Sequence, residues 1–153
     1  MTINAKFHIP YPRNNFMVEI LPEGIGAIEK IGDYLKNISS DFNVSSEYLR
    51  CQQTTKIVSK ITGFNFKNDE RLNEKSEESF VEFNKRIEDF LSDIKEKNYK
   101  TVIICTHGAV IAALKNNLVN NRFRRREVIR YPRPGVLMCI EGKKVEEIDF
   151  NSP

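Results

Sequence analysis

The stretch TVIICTHGAV, residues 101–110, sets a histidine and a glycine at the end of one apolar run and the start of another. His107 has a side chain that can act as nucleophile, acid, base or ligand near neutral pH. Gly108 lets a ligand come close to the backbone. If the second apolar stretch is a helix, its first N–H groups lack partners within the helix and favour an anion, and phosphate is the obvious candidate. The other reading of His107 is a capping or hydrogen-bonded histidine without chemistry. A second group with chemical potential is RFRRREVIRYPRP, which gathers Arg122, Arg124, Arg125, Arg126, Arg130 and Arg133. It reads as a solvated face, as a rim that attracts an anionic ligand, or as a nucleic-acid patch. The three cysteines, Cys51, Cys105 and Cys139, are far apart and lack metal-type spacing, and two sit inside apolar runs. They read as reduced core residues, and no metal is expected.

The elements that must position these groups follow from hydrophobic periodicity. LPEGIGAIEKIGDYLKNI spaces Ile25, Ile28, Ile31, Leu35 and Ile38 as one helical face, with Pro22 and Glu23 in the first turn. FNVSS, residues 42–46, predicts a short strand, and the following helix carries Ile57, Val58 and Ile61 and stops at Gly63. ESFVEFNKRIEDFLSDIKEKN has a stripe of Phe80, Phe83, Ile87, Phe90, Leu91 and Ile94 opposite a charged face. KTVIICT is a continuous apolar run of strand length, predicted to be buried on both faces, and AVIAALKNNLVNN returns to helical spacing. GVLMCIE and KKVEEIDF, separated at Gly142, predict a closing pair of strands. The alternation predicts an α/β fold, a three-layer α/β/α sandwich with a mostly parallel sheet, in a single domain over residues 1–153. Ligands bind beyond the carboxyl ends of strands in such sheets, which is where His107 falls.

The composition suits one globular domain: 153 residues, 40% hydrophobic and 29% charged. A net charge of +3 is too mild to require nucleic acid. No apolar run approaches the ~20 residues of a membrane span, so a soluble cytoplasmic protein is expected, with no membrane partner.

Four stretches occur in a telling order: LPEG, SSEYLRCQQT (residues 45–54), DERLNE (residues 69–74) and TVIICTHGAVIAAL. Together with EESFVEFNKRI they resemble the histidine phosphatase superfamily, the phosphoglycerate-mutase-like proteins, over residues 22–150. The resemblance implies phosphoryl transfer to a histidine and release of the phosphohistidine to water or an acceptor. Two histidines and two arginines would surround the phosphate, with a carboxylate as proton donor and no cofactor. The chemistry is consistent: neutral imidazole attacks phosphorus, guanidinium groups match phosphoryl oxygens, and the leaving alkoxide needs a proton. On this resemblance Arg50 is a clamp arginine, Glu74 the carboxylate, and His107 the second histidine, with Gly108 beside it in the phosphate pocket.

The family's first motif, Arg-His-Gly at the end of the first strand, is missing from INAKFHIPYPRNNF. In one register residues 3–7 form the strand and His8 stands as nucleophile, flanked by Phe7 and Ile9 in place of arginine and glycine. In the other, Arg13 supplies the clamp and Asn14 occupies the nucleophile position, which binds phosphate without forming phosphohistidine. With two histidines in the chain, a working site of this type uses both His8 and His107. The spacing to LPEG favours the first register, while the loss of both arginine and glycine speaks against it.

Three functions follow. The first is a phosphomonoesterase: His8 nucleophile, Arg50 and Arg13 clamps, His107 ligand, Glu74 acid, and Arg124 and Arg130 on a rim favouring a strongly anionic phosphorylated small molecule. The second is an inactive relative that keeps a phosphate-binding pocket for a ligand or partner. The third and weakest is nucleic-acid binding through the arginine cluster, with Phe123 and Tyr131 stacking on bases.

Overall fold

The computed structural model describes residues 16–151. A single 3-10 turn, Pro22–Gly24, leads into α1 (Ile25–Leu35). Pro22 suits this start because its missing N–H would have had no partner there. Then come β1 (Phe42–Ser45) and α2 (Leu49–Thr62), which stops at Gly63 with a left-handed φ of 78°. A two-residue β2 (Lys67–Asn68) and a 3-10 turn at Glu70–Leu72 precede α3 (Phe80–Glu96). The start of α3 is a capping box: Ser79 accepts from the Glu82 N–H, and the Glu82 carboxylate accepts from the Ser79 N–H. β3 (Val102–Cys105) leads directly into α4 (Gly108–Asn120), and β4 (Val136–Glu141) and β5 (Lys144–Asp149) close the chain.

The sheet β2–β1–β3 is wholly parallel, with Val44 beside Ile104 and Ser45 beside Cys105. β4 and β5 pair antiparallel across Gly142, whose φ is 61°. The pleat divides the core. Val44, Val102 and Ile104 face a cluster built from Phe83, Ile87 and Phe90 of α3 and from Val110 and Leu114 of α4. Ile103 packs with Ile28, Ile31 and Leu35 of α1 and Val58 of α2 on the opposite side. Helices therefore cover both faces, the expected α/β/α arrangement. At the α1–α2 contact, a Cβ on Gly32 would come within 2.8 Å of Ile61 Cδ1, so the glycine permits the close approach.

Two sequence expectations need adjustment. β1 ends one residue early, although the Ser46 N–H still bonds the Cys105 carbonyl at 2.9 Å. Val102, Ile103 and Ile104 are half-buried, because β3 lines an apolar cavity of about 400 Å³ shared with Ile31, Val58 and Leu137. Neither β2 nor the Glu70–Leu72 turn was predicted, because two strand residues and one tight turn leave no hydrophobic period to detect. Among the described residues no helix is long and apolar enough to cross a membrane.

Candidate active site

The carboxyl ends of β1 and β3 open onto the first turns of α2 and α4, and this junction assembles a polar cluster inside an otherwise apolar fold. Arg50, the second residue of α2, is completely buried, as are Ser45, Ser46 and Thr106, and His107 is 1% exposed. Arg50 Nη2 lies 3.1 Å from His107 Nδ1 and forms an ion pair with the Glu74 carboxylate. A guanidinium only donates, so Nδ1 must accept. In the neutral ring the proton then sits on Nε2, which donates to Ser46 Oγ at 2.7 Å. Ser46 also accepts from the Tyr48 N–H (3.2 Å) and donates to Asn73 Oδ1 (3.0 Å). Asn73 Oδ1 takes a second bond from the Glu47 N–H, and its Nδ2 donates to the Glu47 carboxylate. This chain of bonds orients the imidazole from behind.

Burial, followed by the Arg50 guanidinium, holds the His107 pKa well below its usual range, so the ring is neutral at physiological pH. Tyr48 packs edge-on to the imidazole at 4.8 Å between centroids and lies under the Arg50 guanidinium at 5.1 Å. Desolvation in this setting, then the Glu74 charge, pushes the Tyr48 phenol up. Cys51 Sγ is 3.7 Å from His107 Nε2, but burial pushes its thiol up and it stays protonated.

Glu74 sits on the loop before α3, with 26% of its side chain exposed. Arg86 of α3 anchors this loop: Nη1 donates to the Arg71 carbonyl (2.5 Å) and Nη2 to the Glu74 carbonyl (3.2 Å), while its side chain pairs with Glu78 at 3.0 Å. Thr106 Oγ1 ties the end of β3 to the Leu72 carbonyl at 2.6 Å. The carboxylate is therefore delivered to Arg50 by a braced loop.

His107 is the N-cap of α4, with extended φ and ψ and no side-chain capping bond. The first intrahelical bond runs from the Ile111 N–H to the His107 carbonyl at 2.8 Å, so the N–H groups of Gly108, Ala109 and Val110 precede it. The room that Gly108 leaves is filled: a Cβ there would lie 2.2–2.6 Å from the Tyr131 ring. Arg130, next to Tyr131, is exposed, and Arg124 is half-buried with its N–H on the Glu127 carboxylate. The structure thus brings together Arg50, Glu74, His107 and Gly108, with the Tyr131 ring against Gly108, while His8 and Arg13 lie outside the described residues. No group of three or more His, Cys, Asp and Glu among the described residues gathers as a metal site. Sequence reasoning missed Ser46, Asn73 and Arg86. All three lie inside the quoted stretches, but only the fold shows that Ser46 supports the imidazole, Asn73 supports that serine and Arg86 braces the Glu74 loop.

The family model of the histidine phosphatase superfamily (branch 1) matches residues 17–77 and 74–136. The chain belongs to the histidine phosphatase superfamily. The match takes in Arg50, Glu74 and His107 and begins after His8 and Arg13. No curated protein matches the chain significantly. Among solved structures, this superfamily member is similar to a mycobacterial glucosyl-3-phosphoglycerate phosphatase (TM-score 0.76, 14% identity, covering 90% of this chain and 85% of that one). It is also similar to the alpha-ribazole phosphatase from Shigella flexneri (0.72, 18%, 94% and 88%) and to phosphoglycerate mutase from Bacillus anthracis str. Sterne (0.61, 16%, 71% and 72%). At these identities the likeness is one of fold.

Proposed function

We propose that this chain hydrolyses phosphomonoesters through a phosphohistidine intermediate, with His8 as nucleophile. The observation that carries the reading is the buried Arg50 guanidinium bonded at once to a neutral His107 and to the Glu74 carboxylate. A buried arginine beside a helix N-terminus suits a phosphoryl dianion, and the solved structures with the same fold include phosphatases. In this reading incoming phosphate takes the place of Glu74 on Arg50, and its charge offsets the guanidinium charge that adds to burial in disfavouring a protonated His107.

In the first half-reaction a His8 ring nitrogen forms a bond to phosphorus as the bond from phosphorus to the ester oxygen breaks. Glu74, as the acid, passes a proton to the departing alkoxide. In the second, water attacks phosphorus, its proton returns to Glu74, the P–N bond breaks, and inorganic phosphate leaves with His8 restored. Arg50 holds the equatorial oxygens in both steps, and Arg13 is the second clamp.

The departure of Phe7 and Ile9 from the family's Arg-His-Gly pattern favours a second reading, a pocket that binds phosphate without turnover. Intact-protein mass after brief exposure to a reactive phosphomonoester separates the two. An acid-labile, base-stable phosphoryl adduct lost in His8→Ala supports the enzyme. No adduct and no phosphate release, while phosphate still raises the melting temperature, overturns hydrolysis and leaves the binding pocket.

A further inference from the structure

Two buried thiols adjoin the polar cluster, and the phosphoryl chemistry uses neither. Cys51 follows Arg50 in the first turn of α2, and Cys105 ends β3, two residues before His107. Both are free, and they are 1% and 5% exposed although 54 positions apart in the chain. The Cys105 thiol donates to the Cys51 carbonyl at 3.9 Å, and its sulfur accepts from the Cys51 thiol, so the two sulfurs are neighbours. Cys51 Sγ also lies 3.7 Å from His107 Nε2. The two thiols are not equivalent. The bond from Cys51 draws the Cys105 pKa down, whereas burial pushes that of Cys51 up, which makes Cys105 the readier nucleophile. Cys105 also lines the apolar cavity beside β3, and Cys51 does not. That cavity gives a small uncharged oxidant a route to Cys105.

We propose that Cys51 and Cys105 are an oxidation site, a thiol pair that a peroxide closes to a disulfide, and that this closure disturbs the contact between Arg50 and His107. It goes beyond the phosphoester reading and does not require it. In the first step the Cys105 sulfur attacks hydrogen peroxide: an S–O bond forms, the O–O bond breaks, and the departing hydroxide leaves as water with the thiol proton. In the second, the Cys51 sulfur attacks the sulfenic sulfur: the S–S bond forms, the S–O bond breaks, and a second water carries away the Cys51 proton. The sulfurs lose two electrons and the peroxide gains them, and a dithiol reductant reverses the change by exchange. A disulfide brings its sulfurs to about 2 Å, closer than any hydrogen bond, so the first turn of α2 shifts against the end of β3. Arg50 is one residue from one sulfur and His107 two residues from the other. The 3.1 Å bond between those two side chains is what the shift strains.

The test exposes the full chain to hydrogen peroxide, blocks the remaining thiols and maps the peptides without reduction. The Cys51 and Cys105 peptides are expected to be joined, to separate with dithiothreitol, and to join equally in Cys139→Ala, which removes the third thiol. The ring-nitrogen resonances of His107 should move on oxidation and return on reduction, in wild type and in Cys139→Ala alike. Calorimetry with inorganic phosphate should show affinity falling about tenfold in the oxidised chain, the scale of one hydrogen bond to a charged group. Cys105 joined to Cys139 instead, or both buried thiols still blocked as free thiols, overturns the pair. A Cys51–Cys105 disulfide that leaves the His107 resonances where they were overturns the link to the site. The peptide map and the resonances decide the proposal without a ligand, so a reduced chain that fails to bind phosphate counts against the phosphoester reading alone.

Discussion

Replacing Arg50 by methionine tests the polar cluster at its centre. The substitution keeps an unbranched side chain of similar length and removes every donor. Arg50 is fully buried and Glu74 is 26% exposed, so the variant leaves one carboxylate and one imidazole nitrogen without their guanidinium. Breaking a fully buried ion pair costs about 3–5 kcal/mol. Glu74 regains part of its hydration through its exposed quarter, which brings the expected loss to about 2–3 kcal/mol. For a domain near 150 residues this corresponds to a fall of about 4–12 °C in Tm. Urea denaturation should show a lower midpoint with an unchanged slope, because the surface exposed on unfolding is the same. The decisive variant is Arg50→Met combined with Glu74→Gln. Neutralising the carboxylate that has lost its guanidinium should recover about 1 kcal/mol or more, since removing one partner of a buried pair costs more than removing both charges. A double variant no more stable than Arg50→Met, or a single variant within ~0.5 kcal/mol of wild type, would refute the pairing.

Three other substitutions are expected to have measurable effects. The folded His107 pKa lies well below the ordinary 6.5, so as pH falls below about 6.5 the unfolded chain binds a proton that the folded chain refuses, and the stability present above that value is lost. His107→Gln should make the acid limb of a stability-against-pH curve shallower, by up to about 1.4 kcal/mol per pH unit, and equal slopes would contradict the buried neutral ring. Gly108→Ala should destabilise by about 1–3 kcal/mol through overlap with Tyr131; in a Tyr131→Ala background that cost should vanish, as a thermal double-mutant cycle reads directly. Ser79→Ala removes the α3 cap and should cost about 1 kcal/mol, with amide exchange accelerated in the first turn of α3 and unchanged in α4.

Long periodic elements were legible because hydrophobic spacing is a local record of burial. The stripe of Phe83, Ile87, Phe90 and Leu91 predicts α3, and all four are buried. The strand Val102–Cys105 and the hairpin turning at Gly142 were equally readable, one from apolar continuity and the other from a residue suited to positive φ. The ordered motifs also pointed to Arg50, Glu74 and His107, and the fold brings those three together.

What the sequence determined by itself was therefore the alternation of elements, the family, and the identity of the central polar residues, since each is written in residue type and short-range spacing. Only the tertiary structure decided what surrounds them. Ser46 meets His107 across 61 positions and Arg50 meets Glu74 across 24, while Tyr131 settles on Gly108 from beyond α4. A hydrogen bond or ring contact between distant positions has no period to reveal it. The proton on Nε2 and the neutrality of His107 depend on which groups crowd the ring after burial, and those groups, Ser46, Tyr48, Arg50 and Cys51, stand 56 to 61 positions earlier in the chain.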